Sequence, residues 1–186
     1  MSGNGNVALF CDLVGTLVAM DENRQLPLDA HGQVKIELLP RVKEVLTPLR
    51  DYLIFVVTNQ AGIKRGRLTL VQVEAALAAL DAALGDILTA WQICPHDDDD
   101  GCGCRKPRAG MMTELAENHG VDLSVSTMVG DQSTDAEASR RAGVGRFIYA
   151  HDFFGWKQSE AAFARACLNG ERRAIVYEQA KTRFSG

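Results

Sequence analysis

Long apolar runs are missing from this 186-residue chain, and aromatic residues are sparse at 6%. No uninterrupted apolar stretch approaches the ~18 residues of a membrane span, so no membrane partner is expected. An excess of one charge is also lacking, since 20 Lys plus Arg stand against 24 Asp plus Glu for a net charge of -4. That balance gives no electrostatic footprint for nonspecific nucleic-acid binding and leaves only a local basic patch open. The first six residues are polar and carry no basic region followed by an apolar core, so no secretory signal is read there and cytoplasm is the expected compartment. Five cysteines, an odd number without an export signal, argue against a disulfide framework and for metal or free-thiol chemistry. What is present suffices for one compact domain over residues 1–186. At 46%, the hydrophobic content is too high for disorder, and a chain of this size buries roughly 70% of its unfolded surface.

Strand and helix signals alternate. Residues 7–11 form a short apolar run ending in Asp12, with Gly15 within a turn, as in a buried strand that delivers a carboxylate at its C-terminal end. Residues 40–49 carry Val42, Val45, Leu46 and Leu49 at helical spacing. Residues 53–57 (LIFVV) are apolar on both faces, the pattern of a central parallel strand covered by helices. Thr69 is the expected N-cap of an Ala/Leu-rich helix to about Leu84. A strand is expected at 91–94 and a helix at 110–119 with Gly120 as its stop. A strand at 127–129, a helix at 135–142 ending at Gly143 and a last strand at 147–149 complete the pattern. Such alternation predicts a three-layer α/β/α sandwich with a parallel, Rossmann-like sheet. Right-handed crossovers then bring the strand ends to one edge, where ligands bind in open sheets.

Asp12, Thr58 and Asp131 each follow an apolar strand and are expected to converge there. Taken singly, each reads more readily as a helix N-cap in a strand-to-helix loop. Four stretches together carry more: Asp12-Leu13-Val14-Gly15-Thr16-Leu17, Val57-Thr58-Asn59-Gln60-Ala61-Gly62-Ile63, Lys106-Pro107, and Val129-Gly130-Asp131 with Asp135. In that order they resemble the four motifs of the haloacid dehalogenase (HAD) superfamily, over residues 7–149. The TNQAGIKRG and CPH…CGCRKP stretches look like the histidinol-phosphate and heptose-bisphosphate phosphatase subfamily, whose members lack a large cap domain and bind zinc in the loop before the catalytic lysine. The TNQ-x-GI-x-RG element is also similar to the phosphatase half of polynucleotide kinase phosphatases.

The resemblance implies a Mg²⁺-dependent phosphatase of a small phosphorylated metabolite, such as a sugar phosphate or histidinol phosphate. Asp12 would be the nucleophile that becomes an aspartyl phosphate. Asp12, Asp131 and the backbone carbonyl of Val14 would hold Mg²⁺, with Asp135 in a second shell or acting through water. The Thr58 hydroxyl and the Asn59 amide would bind phosphoryl oxygens, while Lys106 offsets the charge on Asp12 and the phosphate. Arg105 is placed to recognise substrate. Arg65 reads equally as a substrate ligand and as a solvated loop charge.

Val14 departs from the family. Phosphatases of the superfamily have a second Asp there, which protonates the leaving alkoxide and later activates water. Valine transfers no protons, and general acid-base help is worth ~10² to 10⁴ in rate. The similarity extends to phosphonoacetaldehyde hydrolases, with Ala at this place, and to P-type ATPases, with Thr. Three readings stay open: a slow or specialised phosphatase whose leaving group needs little protonation, a catalytically impaired phosphate-binding or regulatory protein, or an enzyme in which another side chain or a water supplies the proton. Gln132 is a milder departure, because the subfamily often has Lys there, and it weighs against a sugar bisphosphate.

The second candidate site is Cys94-x-His96-x₅-Cys102-x-Cys104. Three thiolates and an imidazole make the closed tetrahedral set of a structural Zn²⁺, with no position left for water. The alternative is an acidic loop with incidental thiols, favoured by the aspartate run at 97–100. A zinc ion in the 94–104 loop would pin Arg105 and Lys106. Cys11 and Cys167 read as small buried hydrophobes. Beyond Ala150 the resemblance fades into an aromatic cluster at 152–156 and helical signals near 159–168 and 171–180. This C-terminal extension, 151–186, either packs over the sheet or offers a protein-contact surface.

Overall fold

A computed structural model describes residues 5–156. Five strands, β1 (Ala8–Cys11), β2 (Leu53–Asn59), β3 (Ala90–Cys94), β4 (Thr127–Gly130) and β5 (Arg146–Tyr149), form one sheet in the order β3-β2-β1-β4-β5. Every neighbouring pair is parallel. Helices α1 (Val42–Leu46), α2 (Leu70–Leu84), α3 (Gly110–His119), α4 (Ser133–Ala142) and the single turn α5 (Ala150–Phe153) intervene. The helical signals near 159–168 and 171–180, and Cys167, lie outside the described residues.

Alternation along each strand builds the two cores. Leu9, Cys11, Ile54, Val56 and Val129 pack with Val42 and Leu46 of α1 and with Val73, Leu77, Leu80 and Leu84 of α2. Their chain neighbours Ala8, Phe10, Phe55, Val57 and Met128 face Met111, Met112 and Leu115 of α3 and Ala138 of α4. Successive side chains of a strand point to opposite faces, so a sheet covered by helices on both sides needs apolar residues at every position, as β1 and β2 have. Each such Leu, Val or Phe contributes about 1.5–3 kcal/mol of burial. Phe154 joins the first core, stacked on Trp156 at 5.2 Å, and the Trp156 indole donates to Pro40 O at 2.6 Å. The described part of the aromatic cluster therefore packs inward.

Two departures from the sequence pattern have local causes. The helix expected over 40–49 ends at Leu46 and passes into a 3₁₀ turn, Thr47–Leu49, because Pro48 has no N–H for the helical ladder. The helix expected from Asp135 begins at Ser133, and Asp135 is its third residue, where its side chain caps the start of the helix. By contrast α2 has the predicted Thr69 cap, with the Thr69 side chain accepting from Gln72 N and the Gln72 side chain accepting from Thr69 N. Thr69→Ala removes this capping box, which is worth about 1 kcal/mol, and lowers the melting temperature by roughly 2–4 °C, as thermal denaturation will read.

Candidate active site

Because β1 lies between β2 and β4, the chain segments leaving the carboxyl ends of all three strands sit side by side. Asp12, Thr58 and Asp131 line one cavity of about 430 Å³, together with Val14, Lys106 and Asp135. None of the three caps a helix among the described residues: α2 uses Thr69 and α4 uses Gln132. Their spacing in sequence is long, and strand order alone brings them together.

Lys106 is the anchor. Its ammonium has three N–H donors, and three acceptors meet it: Asp12 Oδ1 at 2.5 Å, Asp135 Oδ1 at 2.6 Å and Val57 O at 2.9 Å. All four residues are buried. Burial pulls the ammonium down, but the Asp12 and Asp135 charges outweigh it and hold Lys106 in its charged form. Burial likewise pushes the Asp12 carboxyl up, with Lys106 pulling against it. The peptide of Lys106 is clamped as well, since Lys106 N donates to Asn59 Oδ1 at 3.0 Å and Asn59 Nδ2 donates to Lys106 O at 2.9 Å. The Asn59 side chain thus fixes the lysine, a role the sequence did not reveal.

Asp135 is fully engaged. Its Oδ1 takes Lys106 and its Oδ2 accepts from Gln132 N at 3.0 Å. Gly130 makes room for it, since a Cβ there would stand 2.5 Å from Asp135 Cγ. Asp131 is different: Oδ2 accepts from Arg24 Nη2 at 2.7 Å and from Gln132 Nε2 at 2.8 Å, while Oδ1 is buried with no partner among the described residues. Burial and the Asp135 charge push the Asp131 carboxyl up, with Arg24 opposing them.

Asp12, Asp131 and Asp135 offer carboxylate oxygens that all lie within 4.8 Å of one another. With all groups ionised, three negative charges face Lys106 and Arg24, so one is left over. An oxygen-only donor set, a surplus negative charge and an orphaned carboxylate oxygen fit a hard divalent cation. Val14 lines the same cavity. The bridge beside it runs from Val18 N to Leu13 O at 3.0 Å and from Gly15 N to Val18 O at 2.9 Å, so the Val14 carbonyl accepts neither bond.

Thr58 sits on the cavity wall with its hydroxyl accepting from Gln60 Nε2 at 2.9 Å. That leaves the hydroxyl proton free to point elsewhere. Gln60 stands in the quoted motif, but its sequence position alone did not disclose this function. Arg65 and Arg105 both line the cavity mouth, yet each is held by the aspartate run. Arg65 forms a fork on Asp97 at 2.5 and 2.6 Å, which holds the Asp97 carboxyl at about 2. Arg105 pairs with Asp98 at 2.6 Å and donates to His96 O at 3.1 Å, and Lys64 pairs with Asp100. The acidic run is therefore the counter-charge of the basic mouth.

Cys94, His96, Cys102 and Cys104 cluster together, with Cys94 Sγ 3.7 Å from Cys102 Sγ and 3.2 Å from Cys104 Sγ. His96 Nδ1 lies 3.7 Å from Cys94 Sγ and 3.3 Å from Cys104 Sγ. Ligands about 2.3 Å from a tetrahedral zinc are about 3.8 Å apart, so the four donors are close to that arrangement. The incidental-thiol reading does not account for their convergence.

Known proteins extend the picture. A family model described as HAD-hydrolase-like matches residues 103–165. A D-glycero-β-D-manno-heptose-1,7-bisphosphate 7-phosphatase of Pseudomonas aeruginosa is 35% identical over 139 residues, 67% of this chain and 75% of the relative. A probable heptose-bisphosphate phosphatase of Thermoplasma volcanium is 34% identical over 139 residues, 72% of this chain and 91% of the relative. The crystal structure of D,D-heptose 1,7-bisphosphate phosphatase from B. bronchiseptica, complexed with magnesium and phosphate, superposes with a TM-score of 0.69 at 25% identity, covering 88% of this chain and 99% of that one. On the fold, the ordered motifs and these relatives together, the chain belongs to the HAD superfamily, in its histidinol-phosphate and heptose-bisphosphate phosphatase subfamily, and is a HAD-type hydrolase of the phosphatase class.

Proposed function

We propose that the chain works as one domain that moves the phosphoryl group of a small phosphorylated metabolite first to Asp12 and then to water. The observation that carries this reading is the buried Lys106–Asp12 pair on the wall of a cavity that also holds Thr58 and the unpaired Asp131 Oδ1. Asp12 keeps one carboxylate oxygen on Lys106, which fixes the nucleophile, while the other accepts only a long bond, 3.3 Å, from Thr16 Oγ1. The Thr58 hydroxyl, oriented by Gln60, donates to the phosphoryl oxygens. Asp12, Asp131 Oδ1 and the Val14 carbonyl would hold Mg²⁺, and Asp135, already bonded on both oxygens, would act from behind. A bound Mg²⁺ supplies charge stabilisation for the phosphoryl group.

Cys94, His96, Cys102 and Cys104 would hold a structural Zn²⁺. It would tie β3, which ends at Cys94, to the loop that carries Arg105 and Lys106. The mouth arginines, Arg65 and Arg105, would meet the non-transferred part of the substrate by exchanging an aspartate partner for it.

Incubation of the purified protein with Mg²⁺ and a panel of phosphate esters and acyl phosphates tests the function. Phosphate release that requires Mg²⁺ and is lost in Asp12→Asn is expected; release that survives Asp12→Asn contradicts it. Val14→Asp restores a proton donor and is expected to raise turnover of alkyl phosphates by ~10² to 10⁴. Phosphate binding without release, together with that rescue, would identify the wild-type chain as the impaired binding protein. Elemental analysis of Cys102→Ser will show zinc lost and, in an inorganic-phosphate titration, weaker binding; unchanged zinc content refutes the assignment.

A further inference from the structure

The cavity has no acid at position 14 but carries a guanidinium in its lining. Val14 stands where the superfamily's phosphatases have an acid, and Arg24 lines the same cavity. The guanidinium donates through Nη2 to Asp131 Oδ2 at 2.7 Å. That same oxygen would lie 2.7 Å from a Cβ on Gly15, the residue after Val14. Arg24 and the Val14–Gly15 turn thus meet the same carboxylate of Asp131 and line the same cavity, although no sequence signal marks Arg24.

Its placement is imposed by a tight turn. Asp21 Oδ1 accepts from Asn23 N and Gln25 N, both at 2.9 Å, Arg24 N donates to Asp21 O at 3.0 Å, and Asp21 N donates to Gln25 O at 2.9 Å. Arg67 Nη2 fastens the turn from outside, donating to Asp21 Oδ2 at 2.7 Å and to Leu26 O at 2.8 Å. Arg24 itself takes a left-handed backbone, φ 60°, which a side chain with a Cβ adopts only when its surroundings require it. Only Nη2 is used on Asp131; the remaining guanidinium donors have no protein partner among the described residues, and the side chain is more than half exposed.

We propose that Arg24 takes over leaving-group stabilisation from the missing acid, so that this phosphatase selects substrates whose leaving group departs as an anion: acyl phosphates and phosphoanhydrides over alkyl phosphates. The inference rests on the phosphatase reading above. In the first step an Asp12 oxygen bonds to phosphorus, the bond from phosphorus to the leaving oxygen breaks, and the electron pair leaves on a carboxylate or phosphate oxygen facing Arg24. No proton is needed, because such a group is stable as an anion, whereas an alkoxide is not. In the second step water adds to phosphorus and the bond to Asp12 breaks. Both water protons stay with the product as dihydrogen phosphate, and Asp12 returns as carboxylate. Arginine suits this task because it keeps its charge across the working pH range and transfers no proton.

The test compares acetyl phosphate, a series of aryl phosphates of decreasing phenol acidity, and glucose 6-phosphate, in the wild type, Arg24→Gln, Arg24→Lys and Val14→Asp, each with a Mg²⁺ titration. Wild-type kcat/KM is expected to fall steeply as the leaving group becomes more basic. Loss of one charge-stabilising donor lowers turnover by ~10² to 10³, and Arg24→Gln should show a loss of that size on acetyl phosphate with Mg²⁺ half-saturation unchanged. Arg24→Lys should recover part of it, and the Arg24→Gln effect should shrink in the Val14→Asp background, where a proton becomes available. A weaker Mg²⁺ response with equal losses on every substrate overturns the proposal and makes Arg24 a positioning residue for Asp131. Equal wild-type rates on acyl and alkyl phosphates also overturn it while leaving the phosphatase reading intact. No turnover of any substrate, in Val14→Asp as well as the wild type, overturns that reading too.

Discussion

The site is organised around one buried ammonium. Lys106 reaches Asp12, Asp135 and Val57 O with its three donors. Taking one partner from a buried ion pair costs about 3–5 kcal/mol because the other charge is left uncompensated, so the three elements that supply these partners are bound to one another through the lysine. The strand β1 delivers Asp12, β2 delivers Val57, and the start of α4 delivers Asp135 through the space that Gly130 leaves open. The lysine itself comes from the loop above, held by the two bonds of Asn59. Fold and site are therefore the same arrangement seen twice.

A second layer of charge surrounds this centre. The aspartate run at 97–100 carries the negative charge that composition registers as a small global excess, and locally it is paired with Lys64, Arg65 and Arg105. Arg65 and Arg105 are kept in place at the cavity mouth without substrate, at the expense of being partly neutralised.

Much of this was legible in the sequence because it depends on short-range pattern. Continuous apolar runs marked the central strands, Thr69 with Gln72 marked the start of α2, Gly120 and Gly143 marked helix ends, and the Cys94 to Cys104 spacing marked a four-donor cluster. The convergence of Asp12, Thr58 and Asp131 followed from parallel strand order. Partnerships between loops stayed hidden. Nothing in the residues themselves told that Arg24, on a non-periodic stretch, reaches Asp131 107 residues away, that Gln60 orients Thr58, or that Arg65 meets Asp97. Those contacts depend on how turns are seated on the finished sheet. Helix ends were missed where a side chain or a proline decided them, as at Asp135 and Pro48.

The central claim is that one cation and one phosphoryl group share the space between Asp12, Asp131 and Lys106. A crystal structure of the protein grown with Mg²⁺ and inorganic phosphate tests it most directly. The account predicts Mg²⁺ on Asp12, Asp131 Oδ1 and the Val14 carbonyl, with phosphate between Asp12, Thr58 and Lys106 and with Asp135 still bonded to the lysine. Magnesium or phosphate seated elsewhere, or a Lys106 withdrawn from Asp12, would contradict it.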